Sequence, residues 1–365
     1  MASPIKKLKI IFVAGARPNF MKVAPLMEEF KKCPEFSTIL VHTGQHYDEK
    51  MSKVFFDELK IPRPDINFEI GAGNHAVQTG KILIAFDDVL EREKPDLVVV
   101  VGDVNSTIAC ALAAVKRGVK VAHVEAGLRS FDWTMPEEIN RVLTDRISDF
   151  LFCTEDSAVK NLRAEGISKN KIFMTGNVMI DTLLKQKSAA EKSNVLKELK
   201  LSDKKYAVAT LHRPSNVDDK NALNKIISTL KKVAGKLPVV FPVHPRTKSH
   251  LLTWGIPTGK IYILDPLGYL DFLKLVSHAK LVMTDSGGIQ EETTILGVPC
   301  LTLRENTERP VTVKCGTNEI VGTDEKKILA AVEKILKKPP AKAKTSKFWD
   351  GKVSARIVKV LSAKL

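Results

Sequence analysis

Residues 96–127 read DLVVVVGDVNSTIACALAAVKRGVKVAHVEAG, and the fold is decided here. The run 97–101 is continuously apolar and β-branched and is closed by Gly102, as in a strand buried on both faces. Residues 105–117 carry apolar positions at helical spacing, and 120–127 return to an apolar run that ends at Gly127. A strand, a helix and a strand in this order pair in parallel, since the crossover is too long for a hairpin. The alternation continues in both directions. LKIIFVAG, TILVHTG, DFLFCTED and KIFMTGN read as further strands, with helices predicted over 18–32, 75–93, 137–148 and 155–165. The polar stretch 183–205, LLKQKSAAEKSNVLKELKLSDKK, loses the strand signal and is read as a hinge. The pattern then restarts with YAVATLH, PVVFPVH, KIYILD, KLVMTDSGG and VPCLTLR. The expected class is α/β, with two Rossmann-like doubly wound parallel-sheet domains and a cleft between them. The expected boundaries are 1–185 and 186–350. KKPPAKAKTSKFWDG reads as a connector, and residues 352–364 as a closing helix.

Composition narrows the function classes. The chain has 365 residues, 44% hydrophobic and 27% charged, the balance of a soluble globular protein. No apolar run approaches the ~18–20 residues of a membrane helix. The N-terminal MASPIKKLKIIFVAGARP ends its apolar run in a Gly-Ala-Arg-Pro turn and is not read as a signal peptide. Cys33, Cys110, Cys153, Cys300 and Cys315 are scattered, without a C-x-x-C pair, which argues against disulfides or zinc and for a reducing cytoplasm. The formal charge of +15 raises nucleic acid as a partner. The lysines crowd 185–205 and 326–364 without interleaved aromatics, so a solvated face is the better reading, and neither nucleic acid nor a membrane is expected.

Ligands of open parallel sheets bind where strands end at their carboxyl edge. The unusual residues sit at such ends: Arg17, Gln45 with His46, Asp103, Glu125, Glu137, His212, His244 and Asp285 with Ser286. In GARPNFMK, Arg17 and Lys22 flank a helix start, a place for phosphate or simply two solvated cations. Asp103 in GDVNST reads by itself as a helix cap. Glu125 ends an apolar strand, where a carboxylate is costly unless paired or working. Glu137 and Arg141 lie four apart on one helix face, the spacing of a helical salt bridge. His212 and His244 at strand ends suit a phosphate oxygen, a proton transfer or a structural hydrogen bond. In DSGGIQEE, Ser286, Gly287 and Gly288 open a helix whose N–H groups suit a diphosphate, and Glu292 one turn on suits ribose hydroxyls.

Gly71-Ala72-Gly73-Asn74-His75-Ala76 matches a dinucleotide fingerprint, but RPDINFEI before it makes a weak strand and residues 85–93 are still helical. No nicotinamide cofactor is expected. The chain also lacks a P-loop, H-E-x-x-H and G-x-S-x-G, and no metal is expected.

GARPNFMKVAPL, TGQH, GDVNST, HVEAGLRS, PEEINR, TGN, HR, DSGGIQEE, LGVP and TERP occur in this order, and the chain thereby resembles the non-hydrolysing UDP-N-acetylglucosamine 2-epimerase family from about residue 8 to its end. The resemblance implies a glycosyltransferase-B-like fold, with a C-terminal helix (351–365) returning to the first domain and a UDP-binding second domain. It implies a homodimer, and inversion at C2 of the sugar through loss of UDP to a 2-acetamidoglucal and its re-addition. Carried over by motif, Asp103, Glu125, Glu137 and His212 would be catalytic. Arg17, Lys22, Ser286, Gly287, Gly288 and Arg309 would hold the diphosphate, Arg141 would hold Glu137, Glu292 would take the ribose and Phe272 would lie near the uracil.

The chain departs from the family at Ala16 and Asn19, and at Pro214 and Ser215. Of the substrate-activator site found in many members, Gln45, His46 and His244 match, while Asp48, Asn74 and Pro214 replace the rest, so substrate activation is not expected. The alternatives are a 2-epimerase of a related UDP-2-acetamido sugar, uronic or deoxy, and a UDP-sugar glycosyltransferase sharing the fold.

Overall fold

The computed structural model describes residues 7–44, 61–71, 73–314, 316–338 and 346–365, so Gln45, His46 and Asp48 lie outside the described residues. The chain divides into two compact units, one reaching to Lys185 and including Lys347–Leu365, the other Gln186–Ser346.

The first unit holds seven strands: β1 Leu8–Ala14, β2 Phe36–His42, β3 Ile66–Asn67, β4 Leu97–Val101, β5 Lys120–Ala126, β6 Phe150–Cys153 and β7 Ile172–Met174. Their order is β3-β2-β1-β4-β5-β6-β7, and every pair is parallel. All five residues of β4 are buried, as its unbroken valines require of a strand covered on both faces. Helices His75–Glu93 and Asn105–Lys116 bury Ile82, Phe86 and Ala109–Ala111 against Val98 and Val100.

The second unit holds β8 Ala207–Thr210, β9 Val239–Pro242, β10 Tyr262–Leu264, β11 Leu281–Thr284, β12 Cys300–Thr302 and β13 Asn318–Ile320, in the order β10-β9-β8-β11-β12-β13. Sequence reading missed β13. Its three residues sit at the sheet edge with only Asn318 buried, so no apolar pattern announces it. In both units the strand order reverses beside the first strand, between β1 and β4 and between β8 and β11. Such switch points open a crevice at the carboxyl ends of the strands.

The last helix, Val353–Lys364, belongs to the first unit. The buried Asp181 carboxylate accepts the Val353 and Ser354 N–H groups at 3.1 and 2.7 Å, which caps the helix start. Just before it, the Trp349 indole donates to the Thr154 carbonyl at 2.9 Å. Gly176 has φ +97°, and a Cβ there would lie 2.0 Å from the Phe348 carbonyl oxygen, so only glycine lets the returning chain approach. Among the described residues, no helix is long and apolar enough to cross a membrane, and no cluster of three or more His, Cys, Asp or Glu could hold a metal ion.

Candidate functional site

In the first unit, the exit of β1 is shaped by Asn19. Its Oδ1 accepts the Gly15 and Ala16 N–H groups at 3.1 and 2.9 Å, and its Nδ2 donates to the Val101 carbonyl at 3.3 Å, joining the ends of β1 and β4. This departure from the family pattern is thus a structural tie. Helix Arg17–Phe30 starts here, with Arg17 as its first residue. Lys22, one turn further, is buried and forms an ion pair with Glu125. Gly102, at φ +68°, lies under this ammonium: a Cβ there would be 3.1 Å from Lys22 Nζ.

Glu125 occupies the penultimate position of β5, where the β5–β6 register shifts between Val124 and Ala126. Its φ is +78°, rare for a residue with a Cβ. A bulge re-aims a side chain, and such strain persists only when the surroundings fix it. The strand therefore delivers a buried carboxylate to its carboxyl end rather than into the sheet face.

Asp103, following β4, is partly exposed and forms an ion pair with Arg141. The buried guanidinium also bonds Glu138 at 2.6 Å. Glu138 in turn accepts the Ser130 N–H and Oγ–H at 2.9 and 3.0 Å and the Phe131 N–H at 2.9 Å. Asn140 Nδ2 donates to the Asp103 carbonyl at 2.9 Å. Helix Pro136–Ile147 therefore clamps both the Asp103 loop and the loop after β5. Sequence reasoning gave Arg141 the partner Glu137 and overlooked Glu138, which is also on the helix face at the i,i+3 spacing. Glu137 stands in the first turn, half-buried. His123 is held from both sides, Nδ1 to Asp145 at 2.7 Å and Nε2 to the Gly102 carbonyl at 2.8 Å, so it braces the Gly102 turn.

In the second unit, His212 follows β8 and Asp285 follows β11, the pair of strands at the switch point. Asp285 is fully buried, and its Oδ1 lies 2.8 Å from His212 Nδ1. Burial pushes this carboxyl up, but hydrogen bonds from His212, the Arg213 N–H and Asn216 outweigh it and hold the group below the usual carboxylate range. Ser286 stands at the N-cap position of helix Gly287–Leu296, with no cap hydrogen bond from its side chain. A Cβ on Gly287 would sit 2.8 Å from Glu308 Oε1 and would displace that carboxylate. Gly288 follows, partly accessible. Glu292 is buried on the same helix, and burial pushes its carboxyl up to about 7 against the lowering effect of the Tyr269 hydroxyl that bonds it. Arg309 is buried, with Nε 2.6 Å from Glu291. Phe272 packs half-buried against the cluster of Tyr206, Val208 and Val282. His244 is exposed and caps helix Pro245–Thr253, its Nδ1 accepting the Arg246 N–H at 3.3 Å. Asn74, at another departure, caps helix His75–Glu93.

Glu292 carries a sign-definite expectation. A carboxyl raised in the fold stabilises it at low pH, and that contribution is lost as pH rises from the ordinary range through about 7. Glu292→Gln removes the buried charge. Thermal unfolding should show the variant more stable than the parent at pH 8 and equal to it at pH 4.5. A variant less stable at pH 8 would refute the buried-charge account.

Two doubly wound parallel sheets, each with charged groups at the carboxyl ends beside its switch point, define a two-unit Rossmann-like α/β protein. The profile of the UDP-N-acetylglucosamine 2-epimerase family matches residues 28–362. A UDP-N-acetylglucosamine 2-epimerase homolog of Methanococcus maripaludis is 47% identical, covering 97% of this chain and 99% of the relative. A UDP-2,3-diacetamido-2,3-dideoxy-D-glucuronate 2-epimerase of Pseudomonas aeruginosa is 41% identical, with 97% and 99% covered. The crystal structure of Methanocaldococcus jannaschii UDP-GlcNAc 2-epimerase in complex with UDP-GlcNAc and UDP is similar with a TM-score of 0.92 and 45% identity, over 98% of this chain and 100% of that one. The chain belongs to the UDP-N-acetylglucosamine 2-epimerase family, and it is an isomerase.

Proposed function

We propose that the protein interconverts UDP-N-acetylglucosamine and UDP-N-acetylmannosamine. The C2 proton is removed, the C1–O bond to UDP breaks, and UDP re-adds to the 2-acetamidoglucal with protonation of C2 on the other face. The observation that carries this reading is Glu125, a buried carboxylate delivered to a strand end by a strained backbone and paired with Lys22. Asp103 and Glu137 complete the acid–base set, since two protonation faces need separate groups. No carbonyl adjoins C2 to acidify its proton, so the leaving diphosphate must be stabilised electrostatically. Arg17, Lys22, His212, Arg309, Ser286 and the N–H groups of Gly287 and Gly288 serve that end. Glu292 takes the ribose and Phe272 the uracil. His244 contributes a second polar contact to the sugar nucleotide. The acid–base set favours epimerisation over glycosyl transfer, and no cofactor is required.

Turnover of UDP-N-acetylglucosamine in heavy water, without added nicotinamide, should place deuterium at C2, as read by proton NMR. Inversion with the original proton retained would overturn the elimination route. The 41% identical diacetamido-glucuronate epimerase gives weight to a second substrate reading. Turnover of that sugar nucleotide with none of UDP-N-acetylglucosamine would establish it.

We also infer a homodimer. Val77 and Ile84 on helix His75–Glu93, Ile139 and Leu143 on helix Pro136–Ile147, and Phe131 and Trp133 before it expose apolar side chains on one unit. A second copy would remove that surface from water. Sedimentation should give twice the chain mass, and Ile84→Glu with Leu143→Glu should return it to the chain mass if these faces meet. Buried free thiols at Cys110, Cys153 and Cys300 fit the reducing cytoplasm we assign.

A further inference from the structure

We propose that Asp285 is the positioning residue of His212: its carboxylate fixes the imidazole Nδ1 as the donor and so presents Nε2 to the diphosphate. This rests on the role given to His212 above.

The geometry is built from both strands of the second switch point. Asp285 stands at the exit of β11 and His212 at the exit of β8, and Thr284 and Thr210 pair across the ladder just before them. The Asp285 carboxylate receives four further donor contacts besides the ring. The His212 N–H lies 3.2 and 3.1 Å from its two oxygens, the Arg213 N–H is at 3.0 Å and Asn216 Nδ2 at 3.1 Å. Asn216 is itself pinned by the Leu303 carbonyl at 3.0 Å. With donors on both oxygens and full burial, the carboxylate can neither rotate nor reach water.

One carboxylate thus fixes both the backbone and the ring of the same histidine. Its acceptor at 2.8 Å requires the proton on Nδ1. The ring is nearly half exposed, and its Nε2 has no partner among the described residues. Nε2 is then the ring nitrogen that can meet a phosphate oxygen. A histidine free to spin would offer either nitrogen in either tautomer and would lose orientation each time. Partners that orient a working histidine in this way are typically worth about 10–100-fold in metal sites, and the same logic applies to an anion ligand.

The test uses the full chain with Asp285→Asn, His212→Asn and the double variant. Asp285→Asn should lower kcat by ~10–100-fold with KM changed less than about threefold. In the His212→Asn background the same substitution should cost less than about twofold, because the residue acts through the ring. Equal losses in both backgrounds would mean that Asp285 only holds the fold and would overturn the proposal. Nitrogen-15 NMR of histidine-labelled parent protein, with the His212 signals identified by their loss in His212→Asn, gives a readout that does not depend on the Asp285 variant folding. It should find Nδ1 protonated. A neutral ring carrying its proton on Nε2 would overturn the proposal. Undiminished turnover in His212→Asn, with deuterium still entering C2, would remove the role of His212 and this inference with it, while leaving the epimerase reading intact.

Discussion

Glu125→Gln should lower epimerase turnover by about 10²–10⁴-fold, the usual worth of a general acid–base group. The amide keeps the shape of the side chain and an acceptor oxygen but cannot take a proton. Glu125 lies in the first unit beside Lys22, whereas the groups assigned to UDP in the second unit, Ser286, Glu292 and Arg309, are untouched. UDP affinity by calorimetry should therefore change little. The substitution also removes the counter-charge of a buried ammonium. The new amide still accepts from Lys22, so the fold should hold with a lowered Tm, and rates must be taken well below it. A variant with near-normal turnover would make Glu125 a structural partner of Lys22 and nothing more. A variant that loses UDP binding as severely as turnover would mean that the carboxylate organises the site rather than moving a proton.

Glu125 also shows where sequence reading stops. A carboxylate ending an apolar strand is visible as a break in pattern, because burying it alone is costly. The bulge that aims it is not visible, since a positive φ at a residue with a Cβ leaves no mark in residue type. The parallel sheets were legible from β-branched runs, and the small edge strand β13 was not, having one buried residue among three. Arg141 is legible as a cation on the helix face of Glu137, but its bonds to Glu138 and Asp103 are not: i,i+3 and i,i+4 neighbours share a helix face, and Asp103 is brought by topology alone. Asp285 stands out in the sequence as a strand-end residue, and its grip on His212 depends on the pairing of β8 with β11. His244 stands out in the sequence as a strand-end residue, but the cap it places on the helix opened by Pro245 does not, because histidine is not among the usual capping residues.

Arg141→Met should be the most destabilising of these single changes. The guanidinium is almost wholly buried and bridges Asp103 and Glu138, two carboxylates on different segments. Removing one partner of a buried pair leaves the other charge uncompensated, at about 3–5 kcal/mol. For a unit of this size that is a fall in Tm of roughly 10 °C. Glu138 retains the Ser130 and Phe131 N–H donors, so the loop after β5 should stay in place. Asp103 loses its counter-charge, so turnover should fall even where the variant is fully folded. Arg141→Lys restores the charge but replaces a planar fork with a point charge unable to serve two carboxylates at once. Its Tm should recover more than its turnover. The exposed Arg117, which bonds Asp87 and Glu91, is the control: Arg117→Met should leave Tm nearly unmoved, because exposed ion pairs contribute little. If Arg141→Met and Arg117→Met shift Tm alike, the clamp across Asp103 and Glu138 does not hold the site together.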